Sequence, residues 1–287
     1  MTLTFCASVF AGGEGWTDNV TKAMEQASKE GKDLLMNFTG SDWCGWCIKL
    51  KEEVFSKEGF KDASKNFVLV ELDFPRTKQL SDNVKKQNAE WAQKLGVSGY
   101  PTIMLVDAKG ITYAKTGYRP GGAEAYVKHL NELRMVRVKR DAALTKAALA
   151  KGIDKAKQLD AALSGFDPAI ISANYSSQAD EIIKLDADNG AGLKNKYLAL
   201  RSIGEIRGLL KKREFKGAIK KATDTITEMG AKGQTAQDLY LVRSEAKFYN
   251  KDKDGARKDL DLALQAAPNG SKSQTIKGII SRVFKEK

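Results

Sequence analysis

Ser41-Asp42-Trp43-Cys44-Gly45-Trp46-Cys47 decides how this chain is read. The apolar run Leu34-Leu35-Met36-Asn37-Phe38 precedes it. The amphipathic run Ile48-Lys49-Leu50-Lys51-Glu52-Glu53-Val54-Phe55 follows it. That order reads strand, turn, helix. A Cys-x-x-Cys pair at a helix start suits redox chemistry for a physical reason. The first cysteine sits where unpaired backbone N–H groups and the positive helix end stabilise a thiolate. The second lies one turn on, near enough to close a disulfide with it.

Working outward, the pattern predicts a helix from Trp16 to Lys32, capped by Thr17 or Asp18 and ended by Gly31. A strand covers Asp33 to Phe38, and the helix opening at Cys44 runs to about Ser56. Phe67 to Asp73 is close to continuously apolar, which predicts a strand buried on both faces. A helix follows from Leu80 to Leu95. Thr102 to Val106 and Ile111 to Lys115 read as strands joined by the turn Asp107-Ala108-Lys109-Gly110. Gly121 to Arg140 is helical. Trp16 and Trp91 are expected in the core and His129 at the surface.

Residues 16–135 resemble the thioredoxin superfamily. The resemblance rests on Trp43-Cys44-Gly45-Trp46-Cys47, on Gly99-Tyr100-Pro101-Thr102 opening a strand, and on the hairpin after it. Phe38-Thr39-Gly40-Ser41-Asp42 and Gly96-Val97-Ser98 are similar to small periplasmic thioredoxin-like proteins of bacteria. The resemblance implies an α/β thioredoxin-like fold, a central mixed sheet flanked by helices. It implies that Cys44 is the attacking, partly exposed thiolate and Cys47 the buried resolving thiol. Pro101 would be cis and face the disulfide, with the Tyr100 backbone pairing with substrate main chain. Trp43 would wall the site, with Trp46 beside it. The implied activity is thiol–disulfide exchange with protein thiols and disulfides and with a redox partner protein, without metal or other cofactor.

Two residues depart from the family pattern. Asn37 stands where thioredoxins carry a buried Asp that helps deprotonate the second cysteine. Trp46 stands where thioredoxins have Pro and disulfide isomerases His. Trp brings no charge, so the reading leans toward a reductase or mid-potential exchanger over a strong oxidant. Asp42, Glu52 and Glu53 disfavour a thiolate if they lie close. Other readings of the pair stay open. Half a zinc site would need four ligands, and only His129 and Cys6 offer themselves. A static disulfide closing so tight a loop adds little stability.

From about Arg140 the strand signals vanish. Helical runs recur at 142–162, 168–185, 191–212, 215–229, 236–250, 255–267 and 273–284, separated by Gly, Asn and Asp. This predicts an all-α domain of helical hairpins. Tyr240 to Pro268 resembles a tetratricopeptide repeat, with Ser244, Ala256, Leu260 and Ala263 at its small and apolar places. Arg243 and Lys247 depart from the expected Leu and Tyr. The domains expected are 12–138 and 139–287. The helical domain is read as a packing cap or as a docking surface for a partner protein.

The net charge is +12 over 287 residues. Residues 1–140 carry +4 and residues 141–287 carry +8, in both cases evenly mixed, which argues against nucleic-acid binding. No stretch of 18 apolar residues predicts a membrane span. Residues 1–11 are apolar and end Val9-Phe10-Ala11, the pattern of a truncated export signal cut after Ala11. That expectation places the protein in the periplasm or another exported compartment, with Cys44 and Cys47 as its cysteines. Two function classes remain. One is an oxidoreductase; the other is a binding or assembly protein with a secondary redox centre, which Asn37 favours.

Overall fold

Asp33-Leu34-Leu35-Met36-Asn37-Phe38-Thr39 forms the central strand of a five-stranded sheet in the computed structural model, which describes residues 15–284. The strands are β1 (Trp16–Thr17), β2 (Asp33–Thr39), β3 (Phe67–Asp73), β4 (Thr102–Val106) and β5 (Thr112–Thr116), in the order β1-β3-β2-β4-β5. β3 runs parallel to β1 and β2, whereas β4 is antiparallel to β2 and β5. Every residue of β2 and β3 is buried, as the apolar runs require of strands covered on both faces.

Alternation assigns the two faces. Leu34, Met36 and Phe38 of β2, Val68, Val70 and Leu72 of β3, and Met104 and Val106 of β4 pack against Val20, Ala23 and Ala27 of α1 (Val20–Glu30). Trp91 and Ala92 of α3 (Asp82–Lys94) join that core. Leu35, Asn37, Leu69, Glu71, Ile103 and Leu105 point the other way and are buried too. Two contacts show what covers them. Asp33, on the same face, meets Arg134 and Arg137 of α4 (Gly122–Leu149). Trp16, level with Leu69, packs its ring on Phe55 and Phe60, and Phe55 meets Tyr126 of α4.

The expected helix from Trp16 starts later. Trp16 and Thr17 extend the sheet edge beside β3, and α1 begins at Val20, where Asn19 accepts the N–H of Lys22 at 2.9 Å. Gly31 ends it at φ 66°, a backbone that favours glycine. The helix after Cys44 is α2 (Gly45–Leu50), and it widens into a π-helical turn over Lys51–Phe55. A 3-10 segment, Glu58–Lys65, leads to β3.

The chain divides into two compact units. The first holds residues up to Ala142 and Gly165–Ile170; the second holds Ala143–Ser164 and residues from Ile171 onward. The second unit is helical, with α5 (Gly152–Leu163), α7 (Ser176–Leu185), α8 (Leu193–Lys211), α9 (Phe215–Met229), α10 (Gly233–Tyr249), α11 (Lys253–Ala266) and α12 (Ser273–Val283). A short helix, α6 (Pro168–Asn174), precedes α7. Two expected runs are each split. Residues 142–162 break between Leu149 and Gly152, which takes a left-handed φ of 54°. Residues 168–185 break at Tyr175. Ala199, Ile203 and Ile206 of α8, Ala218 and Ala222 of α9, and Leu239, Val242 and Ala246 of α10 form one core. Leu260 and Ala263 of α11 pack with Ile276 of α12 in another. Asp259 of α11 is 1% exposed and is held by Arg243 at 2.7 Å and Lys247 at 2.9 Å. No helix among the described residues is long and apolar enough to cross a membrane. The stretch expected to be an export signal, 1–11, lies outside the described residues.

Candidate active site

A tight turn carries the chain from β2 to Cys44. The Gly40 carbonyl accepts the N–H groups of Trp43 at 3.3 Å and Cys44 at 2.9 Å. A Cβ on Gly40 would lie 2.5 Å from the Trp43 indole, so no side chain fits there without displacing that ring. Ser41 ties the turn to the end of β3 by donating its N–H and hydroxyl to Asp73, at 2.9 and 2.5 Å.

Cys44 is the N-cap of α2, in an extended conformation, and its Sγ accepts the backbone N–H of Cys47 at 3.3 Å. Thr, Ser or Asp oxygens usually fill that position; here the acceptor is sulfur. Cys44 and Cys47 are joined as a disulfide with their Cα atoms 5.2 Å apart. The expectation of a partly exposed Cys44 against a buried Cys47 is corrected in this oxidised form: the two are 7% and 5% exposed.

Trp43 donates its Nε1–H to the Phe74 carbonyl at 2.8 Å and meets Tyr100 edge-on at 5.8 Å. Tyr100 also packs on Phe74 at 5.3 Å, which brings the segment before β4 to the dithiol. The Tyr100–Pro101 peptide is cis, and the Pro101 carbonyl lies against Gly117. Trp46 has different company. It is 58% exposed and packs on Tyr118 at 5.1 Å, with Lys49 Nζ 5.4 Å from both rings. Tyr118 and Arg76, which stacks on Trp43, carry no local signal in the sequence. Both lie more than 30 residues from the rings they meet, and only the fold brings them there.

The nearby carboxylates are occupied. Asp42 accepts the Thr77 hydroxyl and the backbone N–H groups of Arg76, Thr77 and Lys78, and these bonds hold its carboxyl far below the usual range. Glu53 accepts from the Tyr118 hydroxyl at 2.6 Å and lies 3.6 Å from Lys49. Both are therefore engaged by donors of the protein itself. Asn37 is 4% exposed, lies on the sheet face that carries the ring of Phe55, and its Oδ1 has no hydrogen-bond partner. Among the described residues, no group of three or more His, Cys, Asp or Glu side chains is arranged to hold a metal ion.

The sheet order, the helix that opens on a Cys-x-x-Cys disulfide and the aromatic walls define a thioredoxin-like redox protein. A family described as a thioredoxin-like domain matches residues 20–133. A disulfide bond reductase, DsbH of Chlamydia pneumoniae, is 32% identical over 121 residues, spanning 42% of this chain and 73% of the relative. A thioredoxin-related protein of the same organism, DsbJ, is 29% identical over 92 residues, 32% of this chain and 26% of its own length. A solved structure of a DsbH oxidoreductase is similar over 46% of this chain and 92% of that one, at 30% identity and a TM-score of 0.41. The chain belongs to the thioredoxin-like family of thiol–disulfide oxidoreductases.

Proposed function

We propose that the protein reduces disulfides in exported proteins, with Cys44 as the attacking thiolate and Cys47 as the resolving thiol. One observation carries the division of roles: Cys44 Sγ, and not Cys47, accepts a helix N–H at the start of α2. That bond favours the thiolate of Cys44 once the pair is reduced. Cys44 thiolate attacks a substrate sulfur, a mixed disulfide forms, and one substrate thiolate leaves. Cys47 loses its proton and attacks Cys44 Sγ, releasing the second substrate thiolate. The substrate gains two electrons, and the protein ends as the Cys44–Cys47 disulfide. Trp43, Trp46, Tyr100 and Pro101 form the substrate side, supported by the contacts of Trp43 with Tyr100 and Phe74.

Reduction as the direction is supported by the uncharged Trp46 and by the name of the DsbH relative. We expect a potential for the couple below about −180 mV, the value of protein disulfide isomerase. Export is supported by the apolar residues 1–11; N-terminal sequencing of the mature protein tests it. For the exchange itself, Cys47→Ala should accumulate mixed disulfides on Cys44, visible under non-reducing electrophoresis and absent in a Cys44→Ser, Cys47→Ala double variant. Equal alkylation rates of the two reduced cysteines would remove the assignment of roles.

A second reading is that the helical unit, taken as tetratricopeptide-like, docks a partner protein. Its support is a cavity of about 550 Å³ lined by Lys211, Arg213, Phe215 and Tyr249, among others. Of the places matched to that repeat, Ser244, Ala256, Leu260 and Ala263 are buried, whereas Tyr240 is half-buried and Pro268 exposed. Tyr249→Ala with Lys211→Glu, placed in the Cys47→Ala chain, should change which proteins are trapped while leaving trapping of a small disulfide intact.

A further inference from the structure

Arg76 occupies a position beside the site that the exchange chemistry leaves unused. It lies in the loop after β3, is exposed, and its guanidinium carbon is 4.2 Å from the centre of the Trp43 ring. Trp43 directly precedes Cys44. The loop is fixed by Asp42, whose carboxylate accepts the backbone N–H groups of Arg76 at 2.9 Å, Thr77 at 2.6 Å and Lys78 at 3.3 Å. Asp42 thus grips the backbone of Arg76, and the described contact of the guanidinium is a ring face. A guanidinium held over an aromatic ring makes no hydrogen bond to the ring edge and keeps N–H groups for another acceptor. Its planar fork matches a carboxylate in two parallel hydrogen bonds.

The cation on the other flank of Cys44 is differently placed. Lys49 lies over Trp46 and Tyr118, but Glu53 is 3.6 Å away and also takes the Tyr118 hydroxyl proton in a hydrogen bond. Lys49 is answered within the protein. Arg76 is exposed and lies over the ring of the residue that precedes Cys44.

We propose that Arg76 is a specificity-determining residue that binds a carboxylate beside the substrate disulfide. The protein then prefers disulfides flanked by Asp or Glu. Asp42 is a positioning residue that holds Arg76 in place. This rests on the exchange reading given above.

The test uses the full chain, reduced and freed of reductant. It is mixed with three disulfide-bonded peptides identical except for Glu, Gln or Lys next to the cysteine. Hydroxyethyl disulfide serves as an uncharged reference. Each second-order rate is divided by the same variant's rate on the reference, which cancels general changes in thiol reactivity. We expect a Glu-to-Lys ratio on the order of 10 at low salt in the wild type. The ratio should fall as ionic strength rises from about 0.05 to 0.5 M, because the pair is exposed. Arg76→Gln should bring it to about 2 or less, and Arg76→Lys should retain part of it, since charge survives but the fork does not. Asp42→Asn should lower it by a smaller factor than Arg76→Gln. A wild-type ratio near one, or an undiminished ratio in Arg76→Gln, overturns the proposal, while stoichiometric reduction of hydroxyethyl disulfide leaves the exchange reading standing. A wild-type protein that leaves hydroxyethyl disulfide intact removes the exchange reading, and the proposal with it.

Discussion

Asp33 and Asn37 lie on the same strand and on the same face of the sheet, and both are buried. Asp33 is surrounded. Tyr113 donates to it at 3.0 Å, Arg134 at 3.1 Å and Arg137 at 2.9 Å, and Arg137 passes on to Asp141 at 2.7 Å. Asn37, two repeats of the pleat nearer the dithiol along β2, has an amide oxygen with no partner. A buried charge persists at one end of β2 because three donors compensate its lost hydration. At the other end the chain carries a neutral side chain and tolerates one unmet acceptor. Even the compensated site is not free of cost: burial raises the Asp33 carboxyl above its ordinary value, against the lowering effect of Arg137, Tyr113 and Arg134. The contrast separates a charge that holds the fold from a polar group left beside the chemistry.

The sharpest break of this contrast comes from Asp33→Ala. Removing the carboxylate leaves the half-buried Arg134 and the Tyr113 hydroxyl without this acceptor and Arg137 with Asp141 alone, so we expect a loss of about 3 kcal/mol in urea unfolding. The rate of exchange in the folded fraction should change little. A loss under about 1 kcal/mol would place the cluster among surface ion pairs. Next in size is Asn37→Asp, which puts a carboxyl level with Glu71 on the adjacent strand. We expect about 1–3 kcal/mol of destabilisation at pH 7. Burial and Glu71 raise the folded value of the new carboxyl above its unfolded one. Its penalty is therefore absent below about pH 4 and grows as pH rises toward 7, so unfolding curves at several pH values read the sign. Asn37→Leu is smaller again: stability should change by no more than about 1 kcal/mol, since an unmet acceptor disappears while a side chain of the same branching but larger volume enters. If that variant loses as much as Asp33→Ala, the two ends of β2 are alike and the contrast fails.

The smallest effect concerns the single histidine. His129 of α4 contacts the Thr116 hydroxyl at 3.0 Å, and burial, then Arg119, lowers its value, with Glu132 opposing. The unfolded chain then binds the proton first. This contribution to stability is present above the unfolded value of about 6.5 and is lost as pH falls through it toward the folded value. His129→Gln should flatten the slope of stability between about pH 5.5 and 7, and neither Asp33 nor Asn37 should contribute to it.

Much of the sheet could be read from residue order. Phe67–Asp73 and Thr102–Val106 are the strands the apolar runs predict, residue for residue, because burial on both faces leaves a continuous signal. The pair Cys44 and Cys47 was legible for the same local reason, a turn and a helix start in one short stretch. β1 was not. Two residues show no periodicity, and Trp16–Thr17 is a strand only because β3 offers an edge. The break before Gly152 sits in an Ala- and Lys-rich run whose composition favours helix on both sides. The placing of Arg76 over Trp43 and the occupation of Asp42 depend on contacts across more than 30 residues, which no pattern in a short window encodes. Asp33 reads as the polar start of a strand, and nothing near it in sequence announces Arg134 and Arg137.

The ion triad in the helical unit constrains how this chain can change over evolutionary time. Asp259 is sealed between Arg243 and Lys247, the two departures from what the resemblance to a tetratricopeptide repeat led one to expect, Leu and Tyr. Each departure is harmless only in the presence of the others. Replacing Asp259 alone would bury the head groups of two cations without an anion, and replacing both cations would strand a carboxylate in a core. The three positions should therefore be inherited as a block: descendants keep the charged set or return together to apolar residues, with intermediates passing through a destabilised chain.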